Sequence, residues 1–420
     1  MNLCTAPWKP WSKPYLRLRL REASNKLDRY LARLYAVDTD DERAYQKWHD
    51  SHKPFHWFAE FYGIMTAGGF DVVIGNPPYV EYRQVRDTYT IHPPQYKACD
   101  TGNLYCFCLE RASNLTAAHG YSGMIVPSSL LGLDEVLPLR KHLLSRFARN
   151  WFSTYSIRPS KLFDGVDQRL CIHLAGPDAT KGSQLATTHY RHWCAEERAS
   201  LFQNLSYVYS FVYSPLDRVA QLGTSVAGQV LRKIQSRIDR PIKHHYSDST
   251  TAFLMHYHRS PRYWIRAMDF EQYFKSATRN RSVHHFRDIR FSSEMAGKVA
   301  GAGINSSLFF FWFLTVCNGR NLAGRDVEQF PVGEVNTAIA KEITLLFDNL
   351  MKDYKANSVT RKRKDCEFQE FHPSKSKPII DEIDGLLAKH YGFTAEELDF
   401  IVNYDIKYRL GAEDADGDDE

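Results

Sequence analysis

The sequence predicts an α/β fold in which a partial Rossmann-like sheet is followed by a mixed α+β domain and by C-terminal helices. Two short β-branched runs, at 70–74 and 124–126, are separated by a helical pattern at 104–115, which is the order of a βαβ unit. The alternation of strands and helices stops near Gly182. Helical spacing of apolar residues returns after Val335.

The elements can be predicted in order along the chain. Before the first strand, Leu27, Leu31 and Leu34 recur at helical spacing, so we expect a helix there that packs one face on a larger body. The run 70–74, bounded by glycines, is typical of a fully buried parallel strand. After residue 126 we expect one helix and two strands that continue the sheet, at 137–147, 151–157 and 169–174.

These patterns divide the chain into five segments. They are an N-terminal helical segment (1–53), a partial catalytic domain (54–181), a binding domain (182–345), a C-terminal helical region (346–410) and a disordered acidic tail (411–420).

Composition excludes several classes of protein. A chain with 43% hydrophobic and 25% charged residues is ordinary for a globular protein. The longest apolar run, 308–314, is far shorter than the roughly 20 residues of a membrane helix, so we predict no membrane association and a cytoplasmic location. The eight cysteines are scattered without paired CxxC spacing, which favours reduced structural thiols over a disulfide framework or zinc.

The charge is unevenly distributed. The last ten residues carry six acids and no base, so the first 410 residues hold a net charge of +11 although the whole chain has +5. A basic body attracts polyanions such as nucleic acid. Many basic proteins bind no nucleic acid, so the net charge alone does not predict nucleic-acid binding.

The stretch GFDVVIGNPPYVEY, residues 69–82, carries the clearest chemistry. Two consecutive prolines cannot donate ladder hydrogen bonds, so the chain leaves the sheet rigidly at the carboxyl end of the strand, where α/β sheets hold ligands. Asn76 offers an amide oxygen, Pro77 a fixed main-chain carbonyl and Tyr79 an aromatic face. Two acceptors and one stacking plane suit a planar amine such as that of adenine, which must flip out of a duplex to reach them.

Asn76-Pro77-Pro78-Tyr79, preceded by the strand and Gly75, resembles the catalytic motif of N-6 adenine-specific DNA methyltransferases. Further stretches resemble, in the same order, type IIG restriction-modification methylases: 102–107, 120–128, 305–332 and 391–409. The stretch 305–332 resembles the repeated element of the family's target-recognition domain, which implies that 182–345 is a target-recognition, DNA-binding domain.

The resemblance implies a role for each matching residue. Asn76 and the Pro77 carbonyl would hold the adenine amine, Pro78 would keep the loop rigid and Tyr79 would stack on the base. Asp71 and Gly75 match positions that shape the loop. The methyl donor would be S-adenosylmethionine, and the partner would be double-stranded DNA.

One expected feature of the family is missing. A donor site needs a glycine-rich turn after the first strand of the sheet, yet no glycine precedes Gly63. The glycine cluster at 300–303 predicts a turn. We therefore expect a fragment or one part of a split enzyme, completed by an upstream-encoded polypeptide. The alternatives are a non-catalytic DNA-specificity subunit and a decayed, inactive fragment.

Arginines in the second half interleave with aromatic residues, a pattern that suits phosphate contact and base readout. The predicted DNA-binding residues are Arg259, Arg262, Arg266, Arg287 and Arg290, with Arg279 and Arg281 in the same pattern. A solvated basic face over an aromatic core is the alternative.

Two further basic features carry weaker signals. The histidine pairs at 244–245 and 284–285 lack carboxylate or cysteine partners at ligand spacing, so we predict no metal site. The run 361–364 is either a DNA-backbone contact or a solvated loop.

Overall fold

The computed structural model describes residues 13–91, 96, 102–177, 184–276, 286–317, 319, 321–363 and 366–411. The chain divides into two compact units. The first unit comprises Met1–Val126, Pro138–Asn150 and His173–Ser183, and the second comprises Pro127–Leu137, Trp151–Ile172 and Gln184–Glu420. The predicted acidic tail lies outside the described residues, apart from Gly411.

Residues 13–191 contain both helices and strands. They are α1 (Lys13–Leu34), α2 (Glu42–His52), α3 (Trp57–Glu60), α4 (Tyr62–Thr66), β1 (Phe70–Gly75), α5 (Leu104–Leu115), β2 (Thr116–Pro127), α6 (Ser129–Gly132), α7 (Leu137–Arg146), β3 (Arg149–Tyr155), β4 (Leu170–Gly176) and β5 (Gln184–Arg191).

Short strands and longer helices make up the remainder. They are β6 (Val208–Tyr209), β7 (Val212–Tyr213), β8 (Arg218–Val219), α8 (Ser225–Gln235), β9 (Phe253–His258), β10 (Ala267–Met268), β11 (Phe274–Ser276), β12 (Phe286–Phe291), α9 (Glu294–Asn305), α10 (Ser307–Val316), α11 (Gly324–Glu328), α12 (Thr337–Ala356), β13 (Val359–Arg363), β14 (Cys366–Glu370), α13 (Lys377–Tyr391), α14 (Ala395–Val402) and α15 (Ile406–Gly411). The predicted α/β class is confirmed. The predicted boundaries of the five segments stay a prediction.

A mixed sheet organises the first part of the chain. Within the first unit the strand order is β1-β2-β4-β3, and within the second unit it is β4-β3-β5-β6, because β3 and β4 have residues in both units. Strands β1 and β2 are parallel, as the sequence predicted. Their register shifts after Phe70, where Gly120 lies so close to β1 that a Cβ atom would come within 2.7 Å of the Phe70 carbonyl oxygen.

The prediction that β1 is fully buried is wrong. The side chains of Val72 and Ile74 are 58% and 77% exposed. The physical reason is that β1 stands at the edge of the sheet, with β2 as its one hydrogen-bonded neighbour in the described part of the chain. Val72 and Ile74 lie on the same face of β1, since side chains two residues apart in a strand point the same way. The β-branched run therefore predicted the strand correctly, but it did not predict how far each face of the strand is buried.

The helix predicted from Leu27, Leu31 and Leu34 is present as α1, and a second helix, α2, follows it. Ala32 of α1 packs against Tyr45 and Trp48 of α2 in a small core of its own. Asp41 begins α2, since its carboxylate accepts from the main-chain N–H of Arg43 at 2.9 Å.

The large core of the second unit is built around α9 and α10. All ten residues of α10, SLFFFWFLTV, are buried. The turn predicted at 300–303 is wrong, because these residues lie inside α9 and are buried. Gly301 lets α9 approach its neighbours: a Cβ atom there would lie 2.4 Å from Met255 and 2.6 Å from Phe347. Gly301 thus serves helix packing.

Hydropathy along the described helices gives a limited result. No single helix there is both long and apolar enough to cross a membrane. The pair α9 and α10 reaches the required length and composition only together, bends by 66° between the helices, and lies in the core described above.

The basic run 361–363 forms a strand. It is part of β13, which pairs with β14 in an antiparallel hairpin, and Arg361 Nε lies 3.0 Å from a carboxylate oxygen of Glu370. These three residues are therefore a solvent-exposed strand and not a loop, and their contact with the DNA backbone stays a prediction. The described cysteines are free thiols, and the described residues include no cluster of three or more His, Cys, Asp or Glu side chains placed to hold a metal ion.

Asp384 of α13 supports the start of α10 and predicts a pH dependence. Its buried carboxylate accepts from the main-chain N–H groups of Ser307 and Leu308, at 3.1 and 3.2 Å. Burial raises the pKa of Asp384 to about 6 from an ordinary value near 3.8. The folded protein therefore holds this proton more tightly than the unfolded chain, and the resulting stabilisation is complete below about pH 4 and is lost as the pH rises through about 6.

We expect Asp384→Asn to remove this dependence. The free energy of unfolding of the wild type, relative to the variant, should fall by about 3 kcal/mol between pH 3.5 and 7, since one pKa unit corresponds to about 1.4 kcal/mol. Urea denaturation of both proteins at several pH values measures the difference. A difference that stays constant over this range would show that the pKa of Asp384 is the same in the folded and unfolded states.

Candidate active-site loop

The Asn-Pro-Pro-Tyr loop, residues 76–79, leaves the sheet at the carboxyl end of β1. Gly75, the last residue of β1, is paired with Met124 of β2, and a Cβ atom at Gly75 would lie 3.3 Å from the Met124 sulfur. The glycine therefore allows Met124 to pack at the base of the loop. The loop-shaping role of Gly75 stays a prediction. Asn76 and Pro78 are exposed, whereas Pro77 and Tyr79 are half-buried.

The Tyr79 hydroxyl ties the loop to β2. Its oxygen lies 2.5 Å from Asn76 Oδ1 and 2.8 Å from the main-chain carbonyl oxygen of Ile125. A phenol carries one proton, so it donates to one of these two acceptors at a time. This contact fixes both the ring of Tyr79 and the orientation of the Asn76 amide, whose oxygen keeps a second lone pair for another donor.

The segment after the loop is anchored to the start of α5. The Leu104 N–H donates to the Val80 carbonyl at 2.9 Å, and the Tyr82 N–H donates to the Gly102 carbonyl at 2.5 Å. The Asn103 side chain begins α5 by accepting from the Tyr105 N–H at 3.3 Å. Both ends of the loop are thus held by main-chain contacts, which limits its freedom to move.

Asp71 lies away from the loop, contrary to the role predicted for it. It is the second residue of β1, about 13 Å along the strand from Gly75 at 3.3 Å per residue. Its exposed carboxylate lies 3.1 Å from His119 Nε2 on β2. The resemblance assigned Asp71 a loop-shaping role because it matches a position of the family motif, but an extended strand separates it from the loop in space.

Ile125 is a residue of the site that sequence reasoning missed. It contributes its main-chain carbonyl. Every residue type has this group, so the identity of the side chain at position 125 could not have marked it. The signal that was available is topological: β2 is parallel to β1, so that its carboxyl end lies beside the loop.

Comparison with known proteins identifies the segment that contains this loop. Residues 15–156 match the Eco57I restriction-modification methylase family. The match covers about a third of the chain. It confirms the resemblance to restriction-modification methylases, and we call residues 15–156 the methylase segment.

Individual relatives are much longer than the matched part. A protein of Methanocaldococcus jannaschii named as a type II restriction enzyme and methyltransferase is 30% identical over 141 residues, which are 32% of this chain and 11% of that protein. The chain therefore spans a small part of that relative.

The solved structures that match this chain share less sequence identity with it. The type IIL restriction-modification enzyme MmeI in complex with DNA is 13% identical, with a TM-score of 0.41 over 81% of this chain and 57% of that one. The type IIG restriction endonuclease BpuSI is 10% identical, with a TM-score of 0.26 over 82% and 55% of the two chains.

The methylase segment does not by itself fit a methyl donor. In the described residues β1 is the first strand, and the elements before it are the helices α1 to α4. A glycine-rich turn that follows a strand and opens a helix is therefore not formed before the loop in this part of the chain. The glycines Gly68 and Gly69 have positive φ, but they lead from α4 into β1.

The five predicted DNA-binding arginines lie in the second unit, and the structure separates them by exposure. Arg287 is exposed on β12, and Arg290 is half-buried, with its guanidinium donating to the Thr250 carbonyl at 3.0 Å. Arg259 and Arg262 are half-buried in the segment that follows β9. Arg279 and Arg281 lie outside the described residues.

The prediction that Arg266 contacts DNA is wrong. Arg266 is 3% exposed, and its guanidinium carbon lies 5.6 Å from the ring centre of Phe371. Alternating basic and aromatic residues in sequence do not reveal which of them point inward, and here the aromatic neighbour draws the cation into the core.

Proposed function

We propose that the chain is the adenine-holding part of a site-specific, adenine-specific DNA methyltransferase of a restriction-modification or phage-defence system. The methyl donor would be S-adenosylmethionine. One observation carries the proposal: the Asn76 amide oxygen is held in place by the Tyr79 hydroxyl at the carboxyl end of β1, directly before Pro77 in the sequence.

The chemistry requires two fixed acceptors. The lone pair of the adenine amine is delocalised into the ring, so this nitrogen is a poor nucleophile. Acceptors on both of its N–H bonds favour tetrahedral geometry and free the lone pair as the methyl group arrives. Asn76 Oδ1 and the Pro77 carbonyl are suited to this role, because they stabilise the transition state more than the bound substrate.

Tyr79 has two tasks in this proposal. Its ring would stack on the extrahelical adenine in place of the lost neighbouring bases. Its hydroxyl, bound between Asn76 and Ile125, keeps both the ring and the amide oriented before the substrate arrives. Preorganised groups need little rearrangement during the reaction, which lowers its barrier.

Double-stranded DNA would be held in part by the second unit. Arg287 and Arg290 lie on one strand, β12, with side chains that are exposed or half-exposed. Arginines in such positions suit phosphate and base-edge contacts.

A second polypeptide would complete the donor site. On the face of the sheet where Val72 and Ile74 are exposed, Tyr121 is 54% and Leu174 is 44% exposed. Ile74 and Leu174 both flank Gly123, so these side chains form one continuous apolar face beside the free edge of β1. Such an edge and face are suited to pairing with a further strand and covering by a helix.

The deciding experiment is methyl transfer to duplex DNA from labelled S-adenosylmethionine, measured with the chain alone and together with the polypeptide encoded upstream of it. We expect N6-methyladenine to form when both are present. If the pair binds DNA with sequence preference and transfers no methyl group, the chain is a non-catalytic specificity subunit instead. The absence of a donor turn from the described residues is the observation that favours this second candidate.

A further inference from the structure

One face of the sheet β10-β9-β12 in the second unit carries two opposite charges side by side. Strand β12 lies at the edge of this sheet, with β9 as its one hydrogen-bonded strand in the described part of the chain. Side chains alternate between the faces of a strand, so Asp288 and Arg290 of β12 lie on the same face, about 7 Å apart along the strand. The opposite face of β12 holds Ile289 and Phe291, which are buried. The edge strand therefore presents a carboxylate and a guanidinium on the face turned away from its apolar side.

A buried histidine holds the Asp288 carboxylate. His256 of β9 lies directly opposite Asp288 in the register of the two strands, and its Nδ1 is 2.7 Å from Asp288 Oδ1. The His256 side chain is 4% exposed, whereas the Asp288 side chain is 62% exposed. Oδ2 of Asp288 accepts no hydrogen bond from the described residues. The carboxylate is thus oriented from the neighbouring strand and keeps one oxygen available to another donor.

The Arg290 guanidinium is also held at one nitrogen. Its Nη1 donates to the main-chain carbonyl of Thr250 at 3.0 Å. No ion pair joins Arg290 to Asp288 or to another carboxylate among the described residues. The N–H groups of Nε and Nη2 remain, and in a planar guanidinium these two donors are parallel. Arg290 therefore offers a pair of donors next to the acceptor of Asp288.

This arrangement selects a ligand that presents two acceptors beside a donor. An exposed carboxylate repels the phosphates of DNA, so on a DNA-binding strand it contributes only where it meets a donor. The donors in the major groove are the exocyclic amines of cytosine and adenine. A guanine–cytosine pair presents the O6 and N7 acceptors of guanine, which suit both donors of an arginine, next to the cytosine amine. In an adenine–thymine pair the amine lies between two single acceptors, so Arg290 would bind only one of them.

We propose that Asp288 and Arg290 read one guanine–cytosine pair of the recognised DNA sequence in the major groove, with Arg290 on guanine and Asp288 on the cytosine amine. A two-stranded β-ribbon fits this groove, and β9 and β12 form such an antiparallel ribbon. The proposal rests on the proposed function, because it requires that the second unit bind double-stranded DNA. It goes further by assigning two residues to base recognition and by naming the base pair.

The test is the selection of duplexes from a randomised library, by the chain alone and together with the polypeptide encoded upstream of it. We expect the sequences recovered with the wild type to contain a position fixed as guanine–cytosine. Asp288→Asn should lower the preference for that pair about 10-fold or more, the usual effect of one lost base contact. Asparagine keeps an acceptor for His256 but places a donor towards the cytosine amine, so the fold should be retained while the recognition is lost.

The matched control is Asp248→Asn, which changes an exposed carboxylate in the segment before β9 of the same unit. It removes the same charge, so both variants should bind random-sequence DNA at least as tightly as the wild type, because each loses one repulsion of phosphate. We expect the control to leave every base preference unchanged. A similar loss of preference in both variants would show a general effect of charge and would overturn the assignment.

Arg290→Ala tests whether the two residues read the same pair. We expect it to relax the same position as Asp288→Asn. Arg290→Lys is the second variant, because it keeps a donor for the Thr250 carbonyl and lacks the parallel pair of donors. Relaxation at different positions, a wild-type preference for adenine–thymine at the shared position, or an unchanged preference in the variants would overturn the proposal. So would a wild-type chain that selects no sequence in either preparation.

The two proposals can fail separately. Base selection that depends on Asp288, without methyl transfer, would reject the proposed catalysis alone. Methyl transfer that depends on Asn76, with the same base selection by the wild type and Asp288→Asn, would reject the assigned base recognition alone.

Discussion

Replacing Asn76 with alanine is expected to lower the rate of methyl transfer to adenine about 100-fold or more, in any preparation in which the wild-type chain is active. The amide oxygen of Asn76 is one of two acceptors proposed to act on the amine, and removing a preorganised transition-state acceptor costs about 10²–10³ in rate. The measurement is the single-turnover formation of N6-methyladenine at saturating DNA.

The control separates this effect from changes in folding. Asn76 is exposed, and so is Asn25 on α1, which makes Asn25→Ala a matched substitution with an expected wild-type rate. Tyr79→Phe is the informative companion, because it keeps the ring and removes the hydroxyl that holds Asn76 Oδ1 and reaches Ile125. We expect it to fall between the wild type and Asn76→Ala. An Asn76→Ala protein that methylates at the wild-type rate would remove Asn76 from the mechanism.

Replacing Gly301 with alanine is expected to destabilise the second unit by about 1–3 kcal/mol, the usual cost of forcing extra volume into a packed core. The added methyl group would lie 2.4 Å from Met255 Cε and 2.6 Å from Phe347 Cε2. Met255 can shift, but the Phe347 ring is buried on all sides. Urea denaturation measures the change in the free energy of unfolding.

Gly303 provides a control within the same helix. A Cβ atom there would meet a single neighbour, Phe330 Cε1, at 3.9 Å, an ordinary contact. Gly303→Ala should therefore stabilise the protein by about 0.5–1 kcal/mol, through helix propensity alone. Because both substitutions add the same group to α9, the difference between them measures packing. Equal effects from the two variants would contradict the packing role of Gly301.

Local sequence patterns predicted the secondary elements well where one face of an element had to be buried. The helix at 104–115 and the helix at 137–147 were confirmed nearly to the residue as α5 and α7. The strand predicted at 124–126 is the end of a longer strand, β2. The first half of β2 was not predicted; it contains Gly120, and its register with β1 shifts there. Patterns of apolar residues report such faces directly.

The same patterns failed where the partner of a residue was distant in sequence. The glycines at 300–303 suggested a turn because glycine is common in turns, but these residues lie in α9, where Met255 and Phe347 leave no room for a side chain at Gly301. Arg266 resembled the half-buried Arg259 and Arg262 in its sequence context, yet it lies in the core beside Phe371. No local pattern contains this information.

The sequence by itself determined the α/β class, the loop at 76–79 and the kind of chemistry that its residues can perform, because each depends on residue types within a few positions of one another. Only the tertiary structure decided that Tyr79 holds Asn76 and reaches Ile125, that β1 is an exposed edge, and that His256 holds the carboxylate of Asp288. These features depend on strands adjacent in space and distant along the chain, and adjacency of that kind is set by the packing of the whole sheet.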